Sequence, residues 1–194
     1  MLHRRRKRTI PTRDECLSLM RSQGMLENIV QHSLAVEKVA LFLSSALIES
    51  GEALHSEEIR AGALLHDITK TNSIHTRENH AITGENLLRQ LGYPEIGKIV
   101  RYHVEIPCEI ILQPRLSSEE IVNYADKRVR HDMVVDLGDR FHDLYRRYGK
   151  TPEACARLQA LERQSVFLEE KIFSRIGMYP EEVTTQVLDS TGGG

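Results

Sequence analysis

Cysteine is scarce in this chain. Cys16, Cys108 and Cys155 are the only three in 194 residues, an odd number with no CxxC pair. That excludes a disulfide framework and a zinc ribbon, and it fits a reducing compartment. Apolar runs of about 18 residues are missing too, so no segment is expected to span a membrane. The basic start runs into Asp14 and Glu15 rather than an apolar leader core, so no signal peptide is expected and a cytoplasmic location is. No alternating apolar-polar run exceeds a few residues, no period repeats, and no Gly/Ser linker interrupts the body. These absences leave a single all-α domain as the expected fold.

What is present agrees with a soluble globular protein. Hydrophobic residues make up 40% and charged residues 28%, and the length suffices to bury a core without disulfides or a structural metal. The net charge of −2 hides an asymmetry. Residues 1–13 hold six bases (Arg4, Arg5, Arg6, Lys7, Arg8 and Arg13) and no acid, which leaves 20 bases against 28 acids in the remainder. An acidic body argues against a dedicated nucleic-acid binder, and the basic arm is read as a solvated terminus.

Helical punctuation recurs along the chain. Thr12-Arg13-Asp14-Glu15 has the form of a capping box, and Gly24 stops the first helix. Ile29, Val36, Val39, Leu43 and Leu47 repeat at helical spacing between Asn28 and Ser50. Ser56 is expected to cap a third helix carrying Ile59, Ala63 and His66. A fourth runs from about Glu78 to Leu91, and Pro94 opens a fifth that ends near His103. Ser117 and Glu120 form a second capping box ahead of IVNYADKRVRH. Asp136 to Tyr148 and Thr151 to about Ile176 are further helices, and residues 180–188 add a last turn or two. The long helix from Pro152 either packs on the core or offers a homodimer face.

The stretch GALLHDITK poses the chemical question, because an apolar run ends in adjacent imidazole and carboxylate. The chain has nine histidines. His3, His55, His75, His131 and His142 read as ordinary surface or hydrogen-bonded residues. His32, His66, His80 and His103 each fall on or at the end of an expected helix beside apolar packing residues, where an unpaired polar group is costly. Asp67 and Asp126 share that setting. Four neutral imidazoles and two carboxylates suit one or two borderline divalent ions such as Fe, Mn, Co, Ni or Zn. The lack of Cys among them argues against a structural zinc.

His32, then His66-Asp67, then Asp126 in YADKRV resembles the His … His-Asp … Asp pattern of the HD superfamily of metal-dependent phosphohydrolases, an all-helical fold. His80 and His103 fall between the His-Asp pair and the last Asp, as in the six-ligand, two-metal subset. The resemblance covers residues 25–150. It implies an HD-domain bundle there, and the sequence pattern adds a basic arm and first helix (1–24), a C-terminal helical extension on the same domain (151–188) and a flexible tail (189–194). It also implies that His32, His66, Asp67 and Asp126 hold one ion, and that Asp67 bridges to a second held by His80 and His103. The activity implied is hydrolysis of a nucleotide-type phosphomonoester or phosphodiester by a metal-activated bridging water. Asp67 and Lys70 would be catalytic, and Lys70, Lys127 and Arg130 would bind the phosphorylated substrate. Arg130 stands four residues after Asp126, hence on the same helix face.

Finer resemblances are weaker. ITKTN replaces the Glu-Asp pair of the stringent-response hydrolases. Gly92-Tyr93-Pro94 mimics the motif of the cyclic-diguanylate phosphodiesterases but precedes His103, so it reads as a helix stop and a helix start. Bacterial dinucleoside-tetraphosphate hydrolases share the ligand order and Ala125-Asp126-Lys127, although Val104-Glu105 replaces their Thr-Gly. The same scaffold also serves a di-iron oxygenase in one eukaryotic relative, and nucleotide-sensing modules in degenerate members.

Overall fold

A computed structural model describes residues 10–189. The basic stretch 4–8 and the tail from residue 190 lie outside the described residues. The chain folds as helices α1 (Arg13–Ser22), α2 (Glu27–Glu49), α3 (Ser56–Leu65), α4 (Lys70–Thr76), α5 (His80–Leu91), α6 (Pro94–Tyr102), α7 (Cys108–Ile111) and α8 (Ser118–Lys127). A hairpin of two two-residue strands, β1 (Val129–Arg130) and β2 (Met133–Val134), leads into α9 (Leu137–Tyr148), α10 (Pro152–Phe173) and α11 (Glu182–Asp189). The all-α class holds, with this hairpin as its sole strand pairing among the described residues. No helix among them is long and apolar enough to cross a membrane.

Local chemistry explains most boundaries. Both capping boxes form, Thr12 with Glu15 and Ser117 with Glu120. The side chains of Asn79, Asp136 and Thr151 accept backbone N–H groups at the starts of α5, α9 and α10. Gly92 takes a left-handed φ of 89° to end α5, and Pro94 occupies the first turn of α6, so Gly-Tyr-Pro is the stop and start expected of it. Ser56 does not cap α3. It is already helical, and His55 holds the cap position without a side-chain bond.

Helix α2 is the central strut, and α3 and α8 pack along it while α5 and α6 pair beside α3. Its buried Val36, Val39, Leu43 and Leu47 meet Leu64, Leu65, Ile121 and Val122 in one continuous core. Gly62 lets α3 and α6 touch, since a Cβ there would stand 2.5 Å from Ile99 Cγ2. Helix α10 packs on α8 and α9, and α11 on α2.

Arg128 fastens the C-terminal helices to this body. Its fully buried guanidinium donates to Val135 O (2.7 Å), to the Tyr124 hydroxyl (2.7 Å) and to Pro180 O (3.0 Å). Tyr124 in turn donates to Glu169 of α10 at 2.5 Å. Arg128→Met strands the buried Val135 carbonyl and the part-buried Pro180 carbonyl, and we expect a loss of about 3 kcal/mol. The urea midpoint checks it, and an unchanged midpoint would contradict the fastening role.

Candidate metal centre

Five helices converge to make the site. His32 projects from mid-α2, His66 caps the end of α3, and Asp67 follows it in the turn before α4. His80 is the first residue of α5, His103 caps the end of α6, and Asp126 sits in the last turn of α8. The sequence reading puts His66 within its helix, but α3 ends one residue earlier. The end-of-helix position matters, because His66 and His103 each turn back on their own helix. His66 Nδ1 donates to Ala63 O and His103 Nδ1 to Val100 O, both at 2.7 Å. A carbonyl cannot donate, so each Nδ1 carries the hydrogen and each Nε2 is left as a lone pair. His32 is fixed in the same way by His131 O, 2.7 Å from its Nδ1.

The freed nitrogens face the two carboxylates. His32 Nε2 lies 2.9 Å from Asp126 Oδ1, and His66 Nε2 lies 3.7 Å from the same oxygen and 3.4 Å from Asp67 Oδ2. The other oxygen, Asp67 Oδ1, is 3.3 Å from His80 Nε2 and 3.6 Å from His103 Nε2. The two imidazole nitrogens of His80 and His103 stand 3.2 Å apart. Two triads result, His32/His66/Asp126 and Asp67/His80/His103, each with its donor atoms within 4.8 Å of one another.

The donor set fits divalent ions. Ligand bonds of about 2.0–2.2 Å place neighbouring donor atoms about 3 Å apart, close to the separations seen. Acceptors that face acceptors at such distances repel unless a positive charge lies between them. Most directly, His66 Nε2 and Asp67 Oδ1 are buried with no hydrogen-bond partner, which a folded protein rarely tolerates without a ligand. The carbonyl-held Nδ1 groups are the outer partners that orient metal-bound histidines.

The electrostatics keep the ligands in the right protonation states. Burial pushes the Asp67 carboxyl up, but Lys70 and the nearby histidines outweigh it and hold the group well below the usual carboxylate range. Burial likewise pushes the Asp126 carboxyl up, but Lys127 and the histidines beside it, His32 among them, outweigh burial and keep the group ionised, well below the usual carboxylate range. Burial lowers His80 to about 4 against the pull of Asp67, so its imidazole is neutral at neutral pH. His103 is lowered for the same reason. His66 alone of these moves up, since burial is overcome by two carboxylates beside it. The same two negative charges would favour a divalent cation at His66 Nε2.

The centre opens into a cavity of about 930 Å³. Lys70 donates to Asp67 Oδ2 at 2.6 Å and lines this cavity. Lys127 lines it too, but its buried amine is engaged by His103 O (3.0 Å) and Asp126 Oδ2 (2.8 Å). Arg130 does not join them. The helix expected to carry it past Asp126 stops at Lys127, and Arg130 lies in β1, outside the cavity lining. The β-branched Val129, Val134 and Val135 favour the hairpin that replaces that turn.

Residues the sequence reading passed over also reach the site. His131, set aside as ordinary, takes a left-handed φ of 59° at the hairpin turn and thereby aims its carbonyl at His32. Arg77, with φ 61°, is the other non-glycine residue of positive φ among those described, and it lines the same cavity. Backbone strain of this sort gathers at functional sites. Arg140 and Arg147 of α9 line the cavity beside Asp126 and His131. A basic residue on an amphipathic helix carries no sequence signal that separates it from a solvated one.

Comparison with known proteins agrees with this geometry. The chain matches the HD domain family over residues 29–144, which include all six candidate ligands. An uncharacterized protein of Methanocaldococcus jannaschii is 31% identical over 144 residues, 68% of this chain and 84% of its own length. The tRNA (cytidine(56)-2'-O)-methyltransferase of Picrophilus torridus is 30% identical over 152 residues, 71% of this chain and 42% of that protein. Ribonuclease Y of Desulfotalea psychrophila is 24% identical over 120 residues, 61% of this chain and 22% of that protein. This chain thus spans less than half of either named enzyme. No solved structure matches it. With its helices, its His-Asp pair and its matched region in agreement, the chain belongs to the HD domain family.

Proposed function

We propose that the protein is a binuclear, metal-dependent phosphohydrolase acting on a nucleotide-type phosphomonoester or phosphodiester, of the six-ligand kind that the dinucleoside-tetraphosphate hydrolases resemble. One observation carries this reading. The two oxygens of Asp67 face different triads, Oδ2 toward His66 and Oδ1 toward His80 and His103. A carboxylate so placed can be shared by two ions. Held there, Fe, Mn, Co, Ni or Zn would supply a nucleophilic water at neutral pH and a clamp for phosphate oxygens.

The chain's own groups do the rest. His32, His66 and Asp126 would hold one ion and His80 and His103 the other, and Asp67 would serve both. Lys70, 40% exposed at the cavity, swings from Asp67 to a phosphate oxygen as a point charge. Lys127 ties the end of α6 to Asp126 and so positions ligands, while Arg130 has no place in substrate binding. The substrate is a phosphorylated small molecule, and a nucleotide suits relatives whose names concern RNA. The compartment is the cytoplasm, and neither membrane nor nucleic-acid polymer is required.

The test uses protein purified without chelator or nickel resin, then stripped and reloaded with each metal. A panel of nucleotide mono- and diesters should show hydrolysis that vanishes on stripping and returns on reloading. Oxygen uptake by a di-iron form, with no hydrolysis of any ester, would overturn the reading.

A further inference from the structure

Arg140 carries a guanidinium that the fold buries and then leaves without a hydrogen bond. It stands in the first turn of α9 with its side chain only 12% exposed, and Nε is buried with no partner. Nη2 comes no nearer than 4.0 Å to Asp126 Oδ1, and Nη1 no nearer than 3.9 Å to Asp143 Oδ2. Both distances exceed hydrogen-bond reach. Each carboxylate has a nearer basic partner. Asp126 already accepts from Lys127 at 2.8 Å and faces His32 at 2.9 Å. Asp143 is met by Arg146 at 2.9 Å and by Arg147 at 2.5 Å. Arg140 is therefore paired only at long range, 3.9–4.0 Å from two carboxylates and hydrogen-bonded to neither, and it is desolvated on the cavity wall next to the His32/His66/Asp126 triad. Such a group is costly unless a ligand completes it.

We infer that Arg140 is a second anion-binding residue of the centre, a fork for the oxygens of a terminal phosphate, and that it selects phosphomonoesters over phosphodiesters. The inference rests on the binuclear reading above. A diester offers two non-bridging oxygens and one negative charge. A monoester offers three and carries up to two charges. Ions held in the two triads would take up two oxygens, and only a monoester would keep a third for Arg140. The planar fork gives direction on the Asp126 side, while Lys70 gives a point charge on the Asp67 side. Arg147, 33% exposed and held by Asp143, extends the positive wall behind it.

Calorimetric binding of methyl phosphate and dimethyl phosphate to the manganese-loaded protein tests this, with metal content measured for each variant. Wild type should bind methyl phosphate roughly tenfold or more tighter than dimethyl phosphate. Arg140→Lys keeps the charge and loses the fork, so the preference should collapse, as it should in Arg140→Ala, with metal content unchanged. An undiminished preference in both variants overturns the assignment, as does a wild type that prefers neither ester. Loss of metal together with the preference also overturns it, because Arg140 would then be a brace for Asp126. The readout is binding, so failure to hydrolyse any ester would count against the proposed activity alone.

Discussion

Asp67→Ala should abolish phosphoester hydrolysis, by on the order of 10³-fold or more, and leave the chain folded. The carboxylate sits in a turn after α3, not in the apolar core that α2, α3 and α8 share. Its one close hydrogen bond is to Lys70, a side chain 40% exposed that can return to water when its partner is gone. Removing Asp67 therefore takes away the group facing both triads at small structural cost. Asp67→Asn is the stricter companion, since it keeps the shape but replaces one acceptor with a donor that cannot bind a cation. Turnover, helicity and the urea midpoint should be read on the same preparation. Near-normal turnover by either variant, with a wild type that needs metal, would end the proposal for Asp67.

Stripped protein titrated with manganese should take up two equivalents, and the His80→Ala, His103→Ala double variant one. His80 and His103 contribute two of the three donors in the second triad and none in the first. Their loss leaves Asp67 Oδ1 as a lone carboxylate oxygen, too few ligands for a second ion. The competing account is that these histidines only hydrogen-bond the backbone. His103 does bond Val100 O, but through Nδ1, while its Nε2 faces Asp67. The two roles use opposite sides of one ring. One equivalent for both proteins would refute the binuclear centre.

How much of this was legible in the sequence depended on how local the cause was. The capping boxes at Thr12 and Ser117, and the Gly92 stop, are decided by residues within one turn, and they form as read. His66-Asp67 stood out because polar groups at the end of an apolar run need partners. The 129–134 hairpin escaped notice because two-residue strands have no period to detect. Arg130 was misplaced with it, through the assumption that α8 ran on. His131 contributes a carbonyl, which every residue type possesses, so only its place in space could reveal it. Arg140 needed burial to become conspicuous, and burial is a tertiary fact.

The bonds from His66 and His103 to Ala63 O and Val100 O have a consequence beyond holding two rings in place. The last carbonyls of any helix lack internal partners. Here the imidazoles supply them, so the same bond terminates the helix and sets the tautomer. Metal affinity and helix termination are then thermodynamically inseparable at α3 and α6. Replacing either histidine with another ligand type would return a carbonyl to want and an end to fraying, whatever the newcomer's affinity for the ion. The ligand identity at those two places is thus dictated twice, once by coordination chemistry and once by the backbone.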